Sequence, residues 1–384
     1  MTPTAARGIS GYGLTAGSSQ VMGAFRVVPI LRANAPGDLR IGIRDYGTFG
    51  LVGVDALPRA PGTKYFSYIP HGFVIAHTAD GSEATLGASL GDKKACCVKL
   101  HHRMVKREAD TDGPTKRFRL LPLHLAMEGF LALHFRGPEI LWSDYSEQAA
   151  RRGLSPRMET SMHGAWIRGF EDALRVFELH ETQVGVMVFI AEALASVFVV
   201  SHPEDYRRLH LSLLEDFYGE LLYNYAMLYP QKPLAFADMD QSKVKTLEDL
   251  EREAGRVRAA HRDYTDLLAE GLFGRPMVTE RLRTMGPFEL DRFMPVFDPD
   301  QECHIGERIL RSDGTLEYMK TFRLSSAQVR RAFLLSKIAE AEWNLDAAAK
   351  TLACTYDELV KRLVNAGFGS LVRLHIAKAA MKPF

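Results

Sequence analysis

The chain has 384 residues, enough for two or three domains or for one large domain with an appended segment. An apolar fraction of 46% and a charged fraction of 25% are typical of a soluble globular protein. No apolar run approaches the about 20 residues that a membrane span requires. The formal net charge of +1 argues against a protein-wide surface for polyanions but leaves room for a local basic patch.

The N-terminus and the cysteines indicate a cytoplasmic protein. Residues 1–20 contain one Arg and no continuous apolar stretch, so we expect a flexible tail there and no signal peptide. Two of the four cysteines are adjacent and the other two are isolated, a spacing that predicts free thiols and not a disulfide framework. They are Cys96, Cys97, Cys303 and Cys354.

Residues 21–235 are predicted to form an α+β body. From about residue 21 to 135 the sequence alternates short apolar runs with Gly, Pro, Asn and Asp, which is typical of strands joined by turns. The stretch 183–222, QVGVMVFIAEALASVFVVSHPEDYRRLHLSLLEDFYGELL, then predicts two strands at 184–190 and 195–200. A helix should follow to about residue 229, with Ser201 as its N-cap.

Residues 236–324 are predicted to carry one long helix and one hairpin. Apolar residues at near-heptad spacing over 243–268 indicate a helix that either lies on the body, the interpretation we favour, or self-associates as a coiled coil. The Pro- and Gly-rich stretch 274–300 is expected to wrap over the surface. Residues 304–324 predict a hairpin that turns at Asp313 and Gly314.

Residues 325–384 are predicted to form three helices. The first covers residues 325–340, and Asn344 is suited to cap a second over 345–353. Thr355 and Glu358 have the spacing of a capping box for a third helix, after which Gly367 can adopt the left-handed conformation. Two short helices joined by a tight turn and preceded by a third describe a helix-turn-helix unit.

The segment WNLDAAAKTLACTYDELVKRLVNAGF resembles the Fis-type helix-turn-helix of bacterial regulators. The resemblance implies DNA contact, with the backbone phosphates held by Lys361, Arg362 and Arg373 and the base edges lying nearest Thr355 and Tyr356. Nine Lys and Arg against five Asp and Glu from residue 325 onwards give this segment a net charge of +4.

Two departures from the Fis-type pattern keep protein contact open as the alternative. Ala353 stands in the turn, where the pattern usually has Gly. Asp357 and Glu358 stand at the start of the last helix, where carboxylates would meet phosphate unfavourably.

The body resembles the ARPP domain family, which is associated with ADP-ribosylglycohydrolases and rhodanese-phosphatases in bacterial gene clusters. The resemblance rests on RVVPIL near the start, on LHLAMEG, and on QVGVMVF followed by VFVVSHPEDYRRLHLSLLEDFYGELL. It implies a role in a prokaryotic conflict or nucleotide-signalling system linked to NAD or ADP-ribose. It does not imply a known catalytic activity.

Side chains that could do chemistry are few. Glu128, in the apolar run LHLAMEGFLALHF, could act as an acid or base, although a solvated turn beside Gly129 is the simpler interpretation. Four residues near the start of the central helix, with its free N–H groups, are a candidate ligand site. These are His202, Asp205, Tyr206 and His210. We predict no metal site, because side chains alternate along a strand and Cys96-Cys97 and His101-His102 could not all converge.

The sequence contains no phosphate-binding loop and no known catalytic motif. Three functions therefore remain open. The first is a non-enzymatic regulatory or adaptor protein that contacts DNA or protein through residues 325–384. The second is an enzyme or binder of an ADP-ribose-like nucleotide that uses Glu128 and the 205–210 region. The third is a structural assembly subunit that forms homo-oligomers through the helix at 243–268. No cofactor is predicted.

Overall fold

A computed structural model gives the architecture. It describes residues 8–36, 39, 167–213, 226–228, 238–285, 287–369 and 371–372, together with five short strands between residues 53 and 90. The strands are β1 Thr15–Ala16, β2 Gln20–Met22, β3 Phe25–Leu31, β4 Gly53–Asp55, β5 Lys64–Phe66, β6 Ile75–His77, β7 Ala84–Leu86, β8 Ser89–Leu90, β9 Gln183–Ile190, β10 Ala193–Val199, β11 Met277–Met285, β12 Phe288–Pro295, β13 His304–Arg311 and β14 Leu316–Arg323.

Seven α-helices have both of their ends within the described residues. They are α1 Phe170–Val176, α2 Pro203–Leu209, α3 Leu247–Leu268, α4 Glu270–Phe273, α5 Ser326–Glu340, α6 Leu345–Thr351 and α7 Tyr356–Asn365. Strands and helices occupy separate stretches of the chain, so the described residues form an α+β fold, as the sequence predicts.

The body is organised around one antiparallel sheet of nine described strands. Its order is β1-β3-β9-β10-β14-β13-β12-β11, with β2 paired to β3. The central pair β9–β10 confirms the predicted strand pair, and its residues are almost all buried. Such nearly continuous apolar runs are expected where both faces of a sheet are covered.

Two hydrophobic clusters cover the two faces of this sheet. The first contains Val186, Val188 and Phe198 from the central strands, together with residues of α1, α2 and the three C-terminal helices. The second contains Met187, Phe189 and other strand residues with α4 and the N-terminal segment. Alternation of side chains along β9 places neighbouring residues in opposite clusters, so these strands hold the two halves of the core together.

The N-terminal segment differs from the flexible tail expected over residues 1–20. A short 3₁₀ helix spans Ile9–Tyr12, and β1 pairs with the end of β3. Ile9 and Leu14 are buried in the second cluster. Ile9 and Leu14 stand alone among Gly and Ser, so the sequence shows no periodic pattern there. Their structural role is visible only from their burial against the sheet.

The prediction of a surface-wrapping segment at 274–300 is wrong. Most of it forms the antiparallel pair β11–β12, which extends the sheet beside β13. Charged residues interrupt the apolar pattern of both strands and hid the strand signal. Asp291 and Arg292 are buried nonetheless, because residues of neighbouring strands pair with their charges.

The hairpin and the long helix are confirmed. β13 and β14 pair antiparallel around a turn in which Gly314 has a φ of 89°, the left-handed conformation that glycine adopts freely. α3 is 22 residues long and begins with a capping box between Thr246 and Asp249. Tyr264 on α3 lies under the guanidinium of Arg26 at 5.3 Å, so this helix contacts the body near its C-terminal end.

The three C-terminal helices form as predicted. Ser325 and Thr355 cap α5 and α7 through capping boxes, and Asn344 accepts hydrogen bonds from two N–H groups of α6. Gly367 follows α7 with a φ of 86°, as expected for a residue that ends a helix. The core of these helices belongs to the same cluster as one face of the sheet, so they pack on the body and not beside it.

Candidate functional site

One face of α7 is buried and the other is open to solvent. Leu359 and Leu363 are fully buried and hold the helix against α5 and α6. Lys361 and Arg362, which the sequence predicts as phosphate contacts, are both exposed on the other side. The burial pattern therefore leaves one basic stretch of α7 accessible to a partner.

The acids at the start of α7 have different roles. The Glu358 carboxylate accepts a hydrogen bond from the backbone N–H of Thr355 at 2.9 Å. Hydrogen bonds from the Thr355 backbone and hydroxyl hold the pKa of Glu358 below its usual value. This carboxylate therefore completes the helix cap, whereas Asp357 is exposed and extends no such bond to the cap.

The other predicted nucleic-acid residues are placed less favourably. Thr355 is exposed, but its hydroxyl accepts from the backbone N–H of Glu358 at 3.3 Å. Tyr356 packs partly against the core, and its burial, with Asp346 and Asp357 nearby, raises its pKa. Arg373 lies outside the described residues. The α7 surface thus consists mainly of Lys361 and Arg362.

The predicted ligand site on α2 contains a buried hydrogen-bonded pair. His210 Nε2 donates to the backbone oxygen of Leu174 at 2.8 Å, since a carbonyl can only accept. His210 Nδ1 must then accept, and the Tyr206 hydroxyl donates to it at 2.9 Å. Burial lowers the pKa of His210, with the Leu174 bond opposing, and burial raises the pKa of Tyr206.

These contacts show where the structure places the predicted ligand residues of α2. Tyr206 and His210 are in the interior with their polar atoms paired, and Asp205 is buried as well. His202, and not Ser201, is the N-cap: its Nδ1 accepts from the backbone N–H of Glu204. Ser201 instead donates to the backbone oxygen of Leu39. The four residues stabilise the packing of α2 and present no common accessible face.

Sequence reasoning missed a group of buried charges on β11–β14. Asp291 Oδ1 lies 3.0 Å from Arg281, and its Oδ2 lies 3.6 Å from Arg308. Glu317, which has no exposed surface, contacts Arg32 at 3.1 Å and Arg311 at 2.7 Å. Each carboxylate therefore has two arginines. Only the register of the sheet brings these partners together, so no local sequence signal reveals them.

A second missed group lies where β13 begins and β14 ends. His304 and Thr321 have no exposed surface, and neither ring nitrogen of His304 has a hydrogen-bond partner in the described part of the chain. The same holds for the Thr321 hydroxyl and for Nη1 of Arg323. Burial, together with the charges of Arg323 and Arg275, lowers the pKa of His304 to about 3. We refer to His304, Thr321 and Arg323 as the His304 cluster.

Comparison with known proteins identifies the family. A family model described as ARPP-2 matches residues 9–286. The chain belongs to the ARPP-2 family. No curated protein and no solved structure is significantly similar to it. The ARPP-2 match ends directly after β11, so the His304 cluster and the α7 surface both lie outside the matched residues.

Glu128, Cys96 and Cys97 lie outside the described residues. Within the described ranges there is no group of three or more His, Cys, Asp or Glu that could hold a metal ion. Over the same ranges, no helix has both the length and the apolar character needed to cross a membrane.

Proposed function

We propose that this ARPP-2 protein is a non-enzymatic regulatory protein of a prokaryotic conflict or NAD- and ADP-ribose-linked system. In this proposal α5–α7 form a helix-turn-helix unit, and α7 contacts the phosphate backbone of DNA. The single observation that carries the proposal is the accessibility of Lys361 and Arg362 on a helix whose other face is fully buried.

The backbone of the turn supports the same interpretation. α6 and α7 are joined by a short turn in which Ala353 has a φ of 49°. This is the left-handed region, where Fis-type units usually have Gly. Ala353 therefore adopts a left-handed conformation that glycine would adopt at lower energetic cost, which fits a turn where glycine is usual.

The charges also support phosphate contact. Of the two acids at the start of α7, Glu358 is held by the helix cap and its charge is partly compensated by backbone N–H groups. Lys361 and Arg362 follow one turn later on the same helix, and both side chains are exposed. Electrostatic contact of this kind is independent of DNA sequence.

The test is a pair of charge-matched double variants of the full-length protein. Lys361→Ala with Arg362→Ala should weaken binding to any duplex by about tenfold or more and reduce the salt slope by about two. The control, Lys243→Ala with Lys245→Ala, removes the same charge from an exposed segment before α3. Fluorescence anisotropy over a series of salt concentrations measures both effects.

Two results would contradict the proposal. If the full-length protein binds no duplex at low salt, DNA contact is excluded and protein contact by α7 becomes the better interpretation. If both double variants lose the same affinity, the effect comes from net charge and not from the α7 surface.

A second candidate function, assembly through α3, rests on a separate observation. Leu247 and Leu267 are 73% and 63% exposed, although they belong to the apolar positions of the near-heptad pattern. A second copy of the helix would cover such side chains. Light scattering at high protein concentration tests this, and a monomer there would exclude it.

A further inference from the structure

The register of the β13–β14 hairpin places three polar side chains on one face of the sheet. His304 is directly opposite Arg323, and Gly306 is directly opposite Thr321. Opposite residues in an antiparallel pair point to the same side, as do residues two apart on one strand. His304, Thr321 and Arg323 therefore lie next to one another on the face that also carries Phe293.

Gly306 allows the Phe293 ring to pack beside this cluster. A Cβ at this position would lie 2.6 Å from the ring of Phe293, so only glycine lets the ring approach the strand. The Phe293 ring thus covers the sheet beside the cluster. The polar groups consequently face an environment from which water is largely excluded.

The hydrogen-bonding groups in this environment are unused. Both ring nitrogens of His304, the Thr321 hydroxyl and Nη1 of Arg323 have no partner in the described ranges. Buried polar atoms are nearly always paired in native proteins, and a group of unpaired atoms at one place calls for a bound molecule or ion. Three different residues on two strands share this property here.

The charges around the cluster define what such a ligand would be. Arg323 and Arg275 are positive, and both influence the His304 ring. The imidazole is neutral at neutral pH, so it offers one N–H and one acceptor. The available groups are mainly donors, in a positive environment, which suits the oxygen atoms of a small anion.

We propose that the His304 cluster binds a phosphate-type oxyanion. The Thr321 hydroxyl, Nη1 of Arg323 and one imidazole N–H donate to its oxygens, and the remaining imidazole nitrogen accepts from a protonated phosphate oxygen. This site lies away from the α7 surface, and the proposal does not depend on DNA contact.

Glu302 lies at the exposed edge of the cluster. Its carboxylate lies 2.6 Å from Nη2 of Arg323 and is 42% exposed, whereas the Arg323 side chain is 15% exposed. The rim of the cluster therefore carries a negative charge that repels an incoming anion and neutralises Arg323. Removal of this charge by Glu302→Gln should strengthen binding of inorganic phosphate by about fivefold or more.

The decisive experiment measures the thermal shift of the full-length protein in inorganic phosphate, with sodium chloride of equal ionic strength as reference. Wild type should show a saturable rise in Tm at millimolar phosphate. Thr321→Val keeps the shape of the side chain and removes the hydroxyl, and should weaken phosphate binding by about fivefold to tenfold. Thr279→Val, on the same face of β11 but outside the cluster, should leave binding unchanged.

A parallel series with a nucleoside monophosphate separates two sources of the phosphate group. Stabilisation by inorganic phosphate alone supports a free anion as the ligand. Stabilisation by both compounds, with the same loss in Thr321→Val, supports the phosphate group of a larger molecule in the same cluster.

Three outcomes would overturn the proposal. The first is no stabilisation beyond that of chloride with either compound, which would leave ordered water as the partner of these groups. The second is stabilisation that Thr321→Val does not reduce, since the anion would then bind elsewhere. The third is weaker phosphate binding in Glu302→Gln, because a repelling carboxylate cannot have that effect. All three variants retain side-chain volume, and far-UV circular dichroism verifies their fold.

Discussion

His210 and His304 are both buried imidazoles, but their surroundings differ. His210 lies just after α2 and uses both ring nitrogens, one with Tyr206 and one with Leu174. His304 lies at the start of β13 and uses neither with any residue in the described ranges. Burial lowers the pKa of both rings, so both are neutral at neutral pH.

This difference separates a structural histidine from a candidate binding histidine. A paired ring that bridges two elements contributes to stability, because its removal leaves other buried groups without partners. An unpaired ring contributes little to the folded state and keeps its hydrogen-bonding groups for a ligand. Burial alone does not distinguish the two cases; the partners do.

The largest expected effect comes from replacing each histidine by alanine. His210→Ala and His304→Ala create cavities of similar size, so their difference reports the hydrogen bonds. We expect His210→Ala to lower the free energy of unfolding by roughly 2 to 4 kcal/mol more than His304→Ala, because Tyr206 and Leu174 lose their partner. Urea unfolding measures this difference, and equal losses would show that the contrast has no energetic basis.

A smaller effect is expected from His304 in acid. The unfolded chain binds a proton on this ring below about pH 6.5, whereas the folded chain keeps it neutral down to about pH 3. Stability from this source is therefore complete above pH 6.5 and is lost as the pH falls through that window. It amounts to about 2 kcal/mol between pH 6.5 and about pH 5.

His304→Leu should remove this loss, so that its stability falls less steeply with acid than that of wild type. Unfolding midpoints at several pH values, in buffers free of phosphate and sulfate, measure the two slopes. His210 is present in both proteins and contributes equally to each. Parallel slopes would mean that His304 is protonated in the folded chain or exposed to solvent.

The smallest expected effect concerns the partner of His210. Tyr206→Phe removes one hydroxyl and leaves His210 Nδ1 unpaired, at a cost of about 1 to 2 kcal/mol. In the His210→Ala background the same substitution should cost less, since the hydroxyl has already lost its acceptor. The double-mutant cycle measures this coupling. Additive losses would show that the 2.9 Å contact is not energetically important.

Local sequence signals predicted the local structure well. The caps Asn344 and Thr355 are confirmed because they pair with N–H groups within one turn, whereas Ser201, also predicted as a cap, donates to the distant backbone oxygen of Leu39. The Asp313-Gly314 turn is confirmed for the same reason. The strand pair β9–β10 was predictable because its apolar runs leave few alternatives.

Features that depend on distant residues were not predictable. The charged residues of β11 and β12 interrupt the apolar pattern by which strands are predicted. The residues that pair with these charges lie on neighbouring strands, which come close only in the folded sheet. His304 and Arg323 are separated by a whole hairpin, so no motif spacing connects them. Tyr206 and His210 have helical spacing, but the sequence does not reveal that both face inward and that His210 meets the backbone of Leu174.

The shared core of the C-terminal helices and the sheet has a practical consequence for cutting the chain. Val329, Leu335 and Ile338 of α5 belong to the same apolar cluster as Ile305 and Tyr318 of the sheet. A fragment that starts at residue 325 would expose these α5 side chains to water. The remaining body would expose the apolar side chains of the sheet that pack against them. Expression of either piece alone therefore invites aggregation, and binding studies on α7 require the intact protein.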